Sequence, residues 1–266
     1  MSLEDRLYPL LSCYERLPQS ARRLLGRGYR LLPARYRWGA AYPQFRRLTE
    51  QVTAWDAETV RAYQTKELRR VLHHAASFCP LYQKRFLKTG FRPESVQDPE
   101  DLQGCPELTK ADLQSHLAEL SSTDIPAGQR LYLTTGGSTG VPVGFYLQKG
   151  VSRPKEQAYL EAMWRRAGYF DGARLVVIRG QVTSAQADGS IAWYDATRDW
   201  LMLSSYHLTE DRLPEYLEAI ERFQPDLLHA YPSAALQLAE HLERAGQSWR
   251  VRSEERRVGK ECRSRW

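Results

Sequence analysis

The amino-acid sequence predicts an α/β fold, in which a helical N-terminal region precedes a sheet with helices packed on it. Two observations predict this fold. Apolar residues recur at helical spacing through most of the first half, and strand-like and helix-like segments alternate through the second half. With 266 residues, 42% of them hydrophobic, the chain is long enough to bury a substantial core.

The N-terminal region, residues 1–50, is basic and is expected to be helical, with breaks at Pro18, Pro33 and Pro43. Arginines are interspersed with leucines in it, as in the stretch RRLLGRGYRLLPARYR. The pattern is typical of a solvated helix face. Peripheral contact of the N-terminal helices with a membrane surface is the alternative interpretation.

Three further helices are predicted between this region and the first strand. Each combines apolar residues at helical spacing with a residue that starts a helix well. The predicted helices are residues 56–78, with Asp56 or Thr59 as the cap; a short helix from Pro80 to Phe86; and residues 108–120, in which Thr109 and Asp112 have the spacing of a capping box.

The hydrophobic period then changes, and short β-type runs alternate with helices. Residues 181–199 are interpreted as a polar turn region, with Asp195 and Asp199 as turn residues. The predicted strands are residues 130–135, 143–148, 174–180, 200–208 and 225–231, and the predicted helices are residues 153–169, 211–224 and 232–246.

Composition and charge narrow the functional class. The net charge is +6, but residues 252–266 contribute +3 of it, so the charge gives little support to a nucleic-acid partner. Four widely separated cysteines without a CxxC pair indicate reduced thiols and a cytoplasmic location. No apolar run is long enough to span a bilayer, and the first residues lack the pattern of a secretory signal.

The segment LTTGGSTGVPVGF, residues 133–145, concentrates glycine and hydroxyl side chains. Glycines let backbone N–H groups approach an anion, and hydroxyls add donors. The segment has neither the Gly-Lys-Ser/Thr ending of a Walker loop nor a GxGxxG pattern, and it lies between two strands. The residues alone leave two alternatives open, a structural hairpin loop and a phosphate-binding loop.

The stretch TGGSTGVPV, residues 135–143, resembles the phosphate-binding loop of the adenylate-forming (acyl-CoA synthetase) superfamily. It looks most similar to the phenylacetate–CoA ligase-like branch, which includes CapK-type proteins. The resemblance implies that residues 51–251 are the first part of the large N-terminal AMP-binding domain of such an enzyme, with an incomplete sheet and flanking helices. Four more segments resemble this branch in the same order: residues 67–86, 108–116, 203–211 and 224–239.

The resemblance implies an ATP-dependent ligase that activates a small carboxylic acid. The acid would attack ATP with Mg²⁺ present, forming an acyl-adenylate, and CoA or another thiol or amine would then accept the acyl group. Capsule or exopolysaccharide biosynthesis and aryl-acid activation are the expected contexts. By position, the phosphate contacts would come from Thr134, Thr135, Gly136, Gly137, Ser138, Thr139 and Gly140.

Candidate substrate contacts lie further along the chain. The resemblance places Tyr231, Pro232 and Ser233 at the border of the acyl pocket. His207 lies at the end of a predicted strand and would orient the acyl group or pyrophosphate, with a structural role as the alternative. No residues are predicted as metal ligands. His73, His74, His229, Cys79 and Cys105 are interpreted as structural.

The chain departs from the superfamily pattern in its loop. The superfamily often has lysines where this chain has Val141 and Val143, and serine where it has Gly136. One cationic contact to phosphate is therefore missing, and a degenerate, non-catalytic relative is an alternative. A basic module that binds nucleic acid or an anionic membrane is a further alternative, supported by the arginine-rich region.

Residues 252–266, RSEERRVGKECRSRW, lack hydrophobic periodicity and resemble the translation of a sequencing-library adapter. We therefore expect the native sequence to depart from this chain near Val251 and to continue further. The superfamily's later motifs, which bind adenine, ribose and Mg²⁺, and its C-terminal domain are not found here. The chain as it stands is accordingly expected to be an inactive fragment.

Overall fold

The computed structural model describes Leu3, Leu7, Leu10, Cys13, Tyr14 and residues 16–135, 140–180 and 190–247. These residues divide into two compact units. The hairpin unit is Trp38–Tyr159 together with Leu3. The sheet unit consists of the described residues from Leu7 to Arg37 together with those from Leu160 onward. Residues 252–266 lie outside the described part of the chain.

Helices dominate the described residues. None of these helices combines the length and the apolar character that crossing a bilayer requires. In chain order they are α1 (Gln19–Leu31), α2 (Ala34–Trp38), α3 (Ala41–Val52), α4 (Ala57–Phe78), α5 (Pro80–Thr89), α6 (Lys110–Ser115), α7 (Leu117–Leu120), α8 (Ser152–Arg165), α9 (Leu213–Phe223) and α10 (Pro232–Arg244), with 3₁₀ turns at Pro93–Ser95, Pro99–Gly104, Ala127–Gln129 and Glu210–Arg212.

The strands form two sheets, which confirms the predicted α/β class. The first is an antiparallel pair in the hairpin unit, and the second has four strands in the order β4–β5–β3–β6. Strand β3 is parallel to both of its neighbours, and β4 is antiparallel to β5. The strands are β1 (Arg130–Thr134), β2 (Gly144–Gln148), β3 (Leu175–Arg179), β4 (Ala192–Asp195), β5 (Trp200–Ser204) and β6 (Leu227–Ala230).

The core of the sheet unit lies on both faces of β3. Its side chains alternate between the faces, as the two-residue period of a strand requires. On one face Val176 and Ile178 pack with the apolar sides of α9 and α10, including Tyr216 and Ile220. On the other face, Leu175, Val177, Trp200, Met202 and Leu227 pack with Trp164 of α8. Helices therefore cover both faces of the sheet.

Local start signals explain where the helices of the hairpin unit begin. The Asp56 carboxylate accepts the Thr59 N–H at 2.8 Å and so caps α4, as predicted. Pro80 begins α5, also as predicted, since the first turn of a helix needs no N–H donor there. Helix α5 runs beyond the expected Phe86 to Thr89, where Gly90 adopts a left-handed conformation with φ 70°.

Several sequence predictions differ from the structure; the strand predicted over residues 200–208, for example, ends at Ser204. Pro43 lies in the first turn of α3 instead of breaking the helix, because that turn can accommodate a missing N–H. Residues 108–120 form two short helices, since His116 leaves the helical region with ψ 28°. The region interpreted as a polar turn contains strand β4, which ends at Asp195; Asp199, with φ 61°, is a turn residue.

Helix α1 packs against the turn between β4 and β5. Its Gly26 is buried, and a Cβ at this position would collide with the backbone of Ala196. The Arg30 guanidinium donates to the Ala196 carbonyl oxygen at 3.2 Å and lies 3.2 Å from the Asp199 carboxylate. The close approach of helix and turn therefore depends on a glycine.

We expect Gly26→Ala to destabilise the chain by roughly 1–3 kcal/mol, because overpacking a close backbone contact forces the backbone to shift. Gly28→Ala is the matched control in the same helix. No atom lies within 4 Å of its new Cβ, so it should be neutral or stabilising by up to ~1 kcal/mol. Urea denaturation measures both, and equal effects of the two substitutions would contradict the docking of α1.

Candidate functional site

The glycine-rich segment connects β1 and β2, and Thr135 forms the neck of this hairpin. The Thr135 N–H donates to the Val143 carbonyl oxygen at 2.9 Å, and the Thr135 hydroxyl oxygen accepts the Val143 N–H at 3.0 Å. The hydroxyl hydrogen is still able to donate to another acceptor. Thr134 ends β1 opposite Gly144. Gly136, Gly137, Ser138 and Thr139 lie outside the described residues, and their phosphate contacts stay a prediction.

The geometry of the hairpin favours glycine at two positions. Gly140 has φ 134°, a conformation that side chains other than glycine rarely adopt. A Cβ at Gly144 would collide with the ring of Tyr132, which packs on its cross-strand neighbour Tyr146 with 5.5 Å between ring centroids. Backbone conformation at Gly140 and packing at Gly144 therefore constrain these positions, whatever the loop binds.

Helix α6 contacts the exit of the loop. The Gln114 side-chain amide donates to the Val141 carbonyl oxygen at 3.1 Å. The helix starts with the predicted capping box: the Thr109 N–H donates to the Asp112 carboxylate at 2.8 Å, and the Asp112 N–H donates to the Thr109 hydroxyl at 3.2 Å. The Arg85 guanidinium also donates to Asp112. The ion pair and the cap together hold the start of α6 in place, and with it Gln114, which contacts the loop.

The Thr109 backbone N–H and the Arg85 guanidinium hold the pKa of the Asp112 carboxyl well below its usual value of 3.8. Because the folded-state pKa is lowered, the carboxylate stabilises the fold above its unfolded-state pKa. That contribution is lost as the pH falls from about 3.8 toward the folded-state pKa.

Asp112→Asn should therefore lower the free energy of unfolding at neutral pH, and its difference from the wild type should shrink as the pH falls below 3.8. Urea denaturation over a pH series measures this difference. Glu221→Gln is the control, since within the described residues Glu221 is exposed and makes no ion pair. A difference between D112N and the wild type that does not change with pH would contradict the assignment.

The second group of predicted residues lies at the carboxyl edge of the four-stranded sheet. Parallel pairing sets Arg179 of β3 opposite Ser204 of β5, and Ile178 opposite Ala230 of β6. The strands that follow β3 along the chain lie on opposite sides of it, so the strand order reverses there. Open α/β sheets bind ligands at the carboxyl ends of the strands beside such a reversal.

His207 lies just beyond the end of β5, next to a fully buried serine. Its Nδ1 is 3.0 Å from the Ser204 hydroxyl, which also accepts the Tyr206 N–H at 3.3 Å. The Tyr216 hydroxyl donates to the Ser204 carbonyl oxygen at 2.6 Å. Burial raises the pKa of Tyr216 to about 12, so this hydroxyl remains a donor at neutral pH. These bonds hold the segment that carries His207.

Tyr231, Pro232 and Ser233 form the start of α10 and are all exposed. The Tyr231 N–H donates to the Ile178 carbonyl oxygen at 3.2 Å, which extends the β3–β6 pairing by one residue. The structure thus brings these three residues and His207 to one edge of the sheet unit. The glycine hairpin belongs to the hairpin unit, so the predicted phosphate and substrate contacts lie in different units.

Two residues at this edge were missed in the sequence. The exposed Arg179 guanidinium lies over the Tyr231 ring, 5.6 Å from its centroid, and makes no ion pair with the described residues. The Tyr206 ring lies against Gly180, where a Cβ would be 2.9 Å from its hydroxyl oxygen. An available signal was the arginine that ends the otherwise apolar strand LVVIR.

The remaining histidines and cysteines have structural surroundings. The His229 ring packs on Trp164 at 5.2 Å between centroids; burial and, second, the Arg179 charge lower its pKa. Burial raises the pKa of the Cys79 and Cys105 thiols, which disfavours the reactive thiolate. No group of three His, Cys, Asp or Glu in the described part of the chain could hold a metal ion.

Comparison with curated proteins finds two phenylacetate-coenzyme A ligases and protein CapK to be similar to this chain. Phenylacetate-coenzyme A ligase from Pseudomonas putida is 28% identical over 203 residues, 76% of this chain and 45% of that protein. The Escherichia coli (strain K12) phenylacetate-coenzyme A ligase is 28% identical over 189 residues, 70% of this chain and 42% of that protein. Protein CapK from Staphylococcus aureus is 25% identical over 139 residues, 52% of this chain and 30% of that protein.

A solved structure shares the fold. The crystal structure of 2-hydroxyisobutyryl-CoA ligase in complex with 2-HIB-AMP and CoA has a TM-score of 0.52 and 20% sequence identity, covering 82% of this chain and 44% of that chain. No family model matches the sequence. The chain spans less than half the length of the relatives it matches. The chain is therefore similar in sequence to phenylacetate-coenzyme A ligases and to protein CapK, and it shares the fold of a CoA ligase.

Proposed function

We propose that this chain supplies the first part of the catalytic domain of an AMP-forming acid–CoA ligase. The observation that carries the proposal is the similarity to phenylacetate-coenzyme A ligases, which extends over 203 residues, 76% of this chain. The fold supports it, since a CoA ligase that binds an acyl-adenylate has the same arrangement. The exposed polar groups at the sheet edge suit recognition of a small acid.

The reaction begins when a carboxylate oxygen of the substrate attacks the α-phosphorus of ATP. The bond from that phosphorus to the bridging oxygen breaks, and pyrophosphate leaves with the electron pair. In the second step a thiol, in our proposal that of CoA, attacks the acyl carbonyl carbon, and AMP leaves. The glycine hairpin holds the β- and γ-phosphates while charge builds on the leaving pyrophosphate. Its contacts are Thr134, Thr135, Gly136, Gly137, Ser138, Thr139 and Gly140.

The substrate acid binds at the carboxyl edge of the sheet. Arg179 is the cation at this edge and donates to the substrate carboxylate, while the Tyr231 ring beneath it restricts its orientation. Tyr206 and Tyr231, both exposed, contact the rest of the acyl group, with Pro232 and Ser233 bordering it. His207 orients the acid from the end of β5.

Mg²⁺ is a proposed cofactor that the described residues do not fit as ligands, because they contain no cluster of carboxylate or imidazole groups. We therefore assign no residue to it. Val141 and Val143, at positions where the superfamily often has lysine, provide no positive charge to the phosphates. The hydroxyl and backbone donors of the hairpin must then supply the phosphate contacts of this chain.

The proposal extends to the location, the biological context and the domains of the protein. We place the enzyme in the cytoplasm, in capsule or exopolysaccharide biosynthesis or in aryl-acid activation, where the name CapK of one relative favours the former. The proposed domains are a basic helical region over residues 1–50, a partial AMP-binding domain over 51–251 and an adapter-derived tail over 252–266. The chain alone is inactive, because its relatives are more than twice as long as the part it matches.

Carboxylate-dependent ATP–pyrophosphate exchange tests the function. We expect exchange above background from a protein that carries this chain and the further length of its relatives, and background exchange from the chain alone. Phenylacetate and short hydroxy acids are the first acids to try. Absence of exchange from the longer protein with every acid would favour a non-catalytic relative, and exchange by this chain alone would refute its inactivity.

Arg179→Gln tests the acid-binding edge in the same longer protein. Loss of a charge-assisted hydrogen bond worth roughly 1.5–3 kcal/mol should raise the KM for the acid about 10- to 100-fold and leave the KM for ATP unchanged. Arg166→Gln removes the same charge from an exposed position at the end of α8 and should change neither constant. A rise in the KM for ATP alone would assign Arg179 to phosphate instead.

A further inference from the structure

Helix α1 is oriented with its basic side toward the protein. Arg30 contacts the Ala196 carbonyl and the Asp199 carboxylate, and the Arg23 guanidinium lies 5.6 Å from the centroid of the Tyr194 ring. Gly26 is buried between these two arginines. An ordinary surface helix packs its apolar face on the core and exposes its charges. Helix α1 makes its contacts with the sheet unit through its glycine and arginine side.

The opposite side of α1 is apolar and open. Leu24, Leu25 and Leu31 are 72%, 54% and 85% exposed. Leu24 and Leu31, seven residues apart, lie on the face away from Gly26, and Leu25 lies at the side of that face. Leu32 and Tyr36 continue the apolar surface into α2 and are also exposed. We call Leu24, Leu25 and Leu31 the leucine face. Exposed apolar side chains that lie close together mark a surface that binds a protein, a membrane or a ligand.

Within residues 16–37, the charged side chains are all of one sign. Residues 16–37 contain seven arginines and no Asp, Glu or Lys. Arg27 and Arg35 are exposed beside the leucines, and within the described residues neither forms an ion pair. The leucine face is therefore an apolar surface surrounded by positive charge.

This combination selects among possible occupants. Nucleic acid would neutralise the arginines but leave the leucines in water, because phosphates do not bury apolar side chains. A second copy would bring one set of arginines against another with no acid in the segment to balance them. A bilayer with anionic lipids satisfies both features at once. Leucines enter the boundary between headgroups and acyl chains, and arginines contact the lipid phosphates.

We propose that the leucine face binds the surface of an anionic bilayer, with α1 lying in the plane of the interface. The helix has 13 residues, about 20 Å at 1.5 Å per residue, which suits an interfacial position and is too short to span. The docking of Arg30 and Gly26 on the sheet unit holds the apolar side outward before any contact with lipid. The proposal is independent of the acid-ligase reaction.

Co-sedimentation of the full chain with vesicles tests this proposal. We expect binding to vesicles of phosphatidylcholine with phosphatidylglycerol, weaker binding at high salt, and little binding to phosphatidylcholine alone. L24S/L31S should reduce the partition coefficient at least tenfold without changing the net charge. L87S/L236S is the matched control, since both leucines are exposed on other helices, and it should bind like the wild type.

Arg27→Gln with Arg35→Gln should weaken binding to the anionic vesicles and leave the residual binding to neutral ones unchanged. Circular dichroism checks that each variant folds. Absence of binding by the wild type, or equal binding by L24S/L31S, would overturn the proposal. The proposal would also be overturned if the wild type bound DNA but not vesicles. It would be overturned, too, if the wild type were a dimer that L24S/L31S converts to a monomer, with lipid having no effect.

Discussion

The pairing of β3 with parallel neighbours on both sides is the constraint on which the sheet unit depends. The strand is buried on both faces, so each of its four apolar side chains has a fixed place in one of two cores. A strand enclosed in this way has little freedom of register. The end of β3 is consequently fixed as well, and with it the position of Arg179 beside the ends of β5 and β6.

A second fixed contact, between α1 and the β4–β5 turn, explains the unusual surface of the N-terminal region. Backbone approaches backbone closely only where a side chain is missing, and Gly26 provides that place. Once the helix is seated there, its rotation about its own axis is set. The leucines then face solvent, because Arg30 and Arg23 on the other side of the helix contact the Ala196 carbonyl oxygen and the Tyr194 ring. Gly26 thus determines that α1 exposes its leucines to solvent.

Local signals in the sequence predicted most of the elements. Asp56, Pro80 and the Thr109–Asp112 pair act within one helical turn, so their effects can be read from spacing alone, and the structure has all three. The family resemblance was also visible in the sequence, because five segments occur in the same order along the chain. Strand β4 was missed because its pairing with β5 is a contact across a turn, and its four residues carry no strong alternation.

The candidate site was only partly readable for the same reason. His207 was found because it lies at the end of a predicted strand, and Tyr231 through the family resemblance. Arg179 was missed because its partner Tyr231 lies far from it in sequence and next to it across the β3–β6 pair. The orientation of α1 could not be predicted from the sequence either. Its periodicity shows that the helix is amphipathic, and only its contacts show which side is covered.

The shared register of β3 with β5 and β6 has an evolutionary consequence. A slip of one residue would exchange the two cores and at the same time move Arg179 to the other face of the sheet. If the carboxyl edge binds the acid as proposed, selection for packing and selection for ligand recognition act on the same alignment of strands. Replacing Tyr206 or Tyr231 would then change the substrate without changing the sheet, whereas an insertion within β3 would disrupt both the sheet and the proposed acid-binding edge.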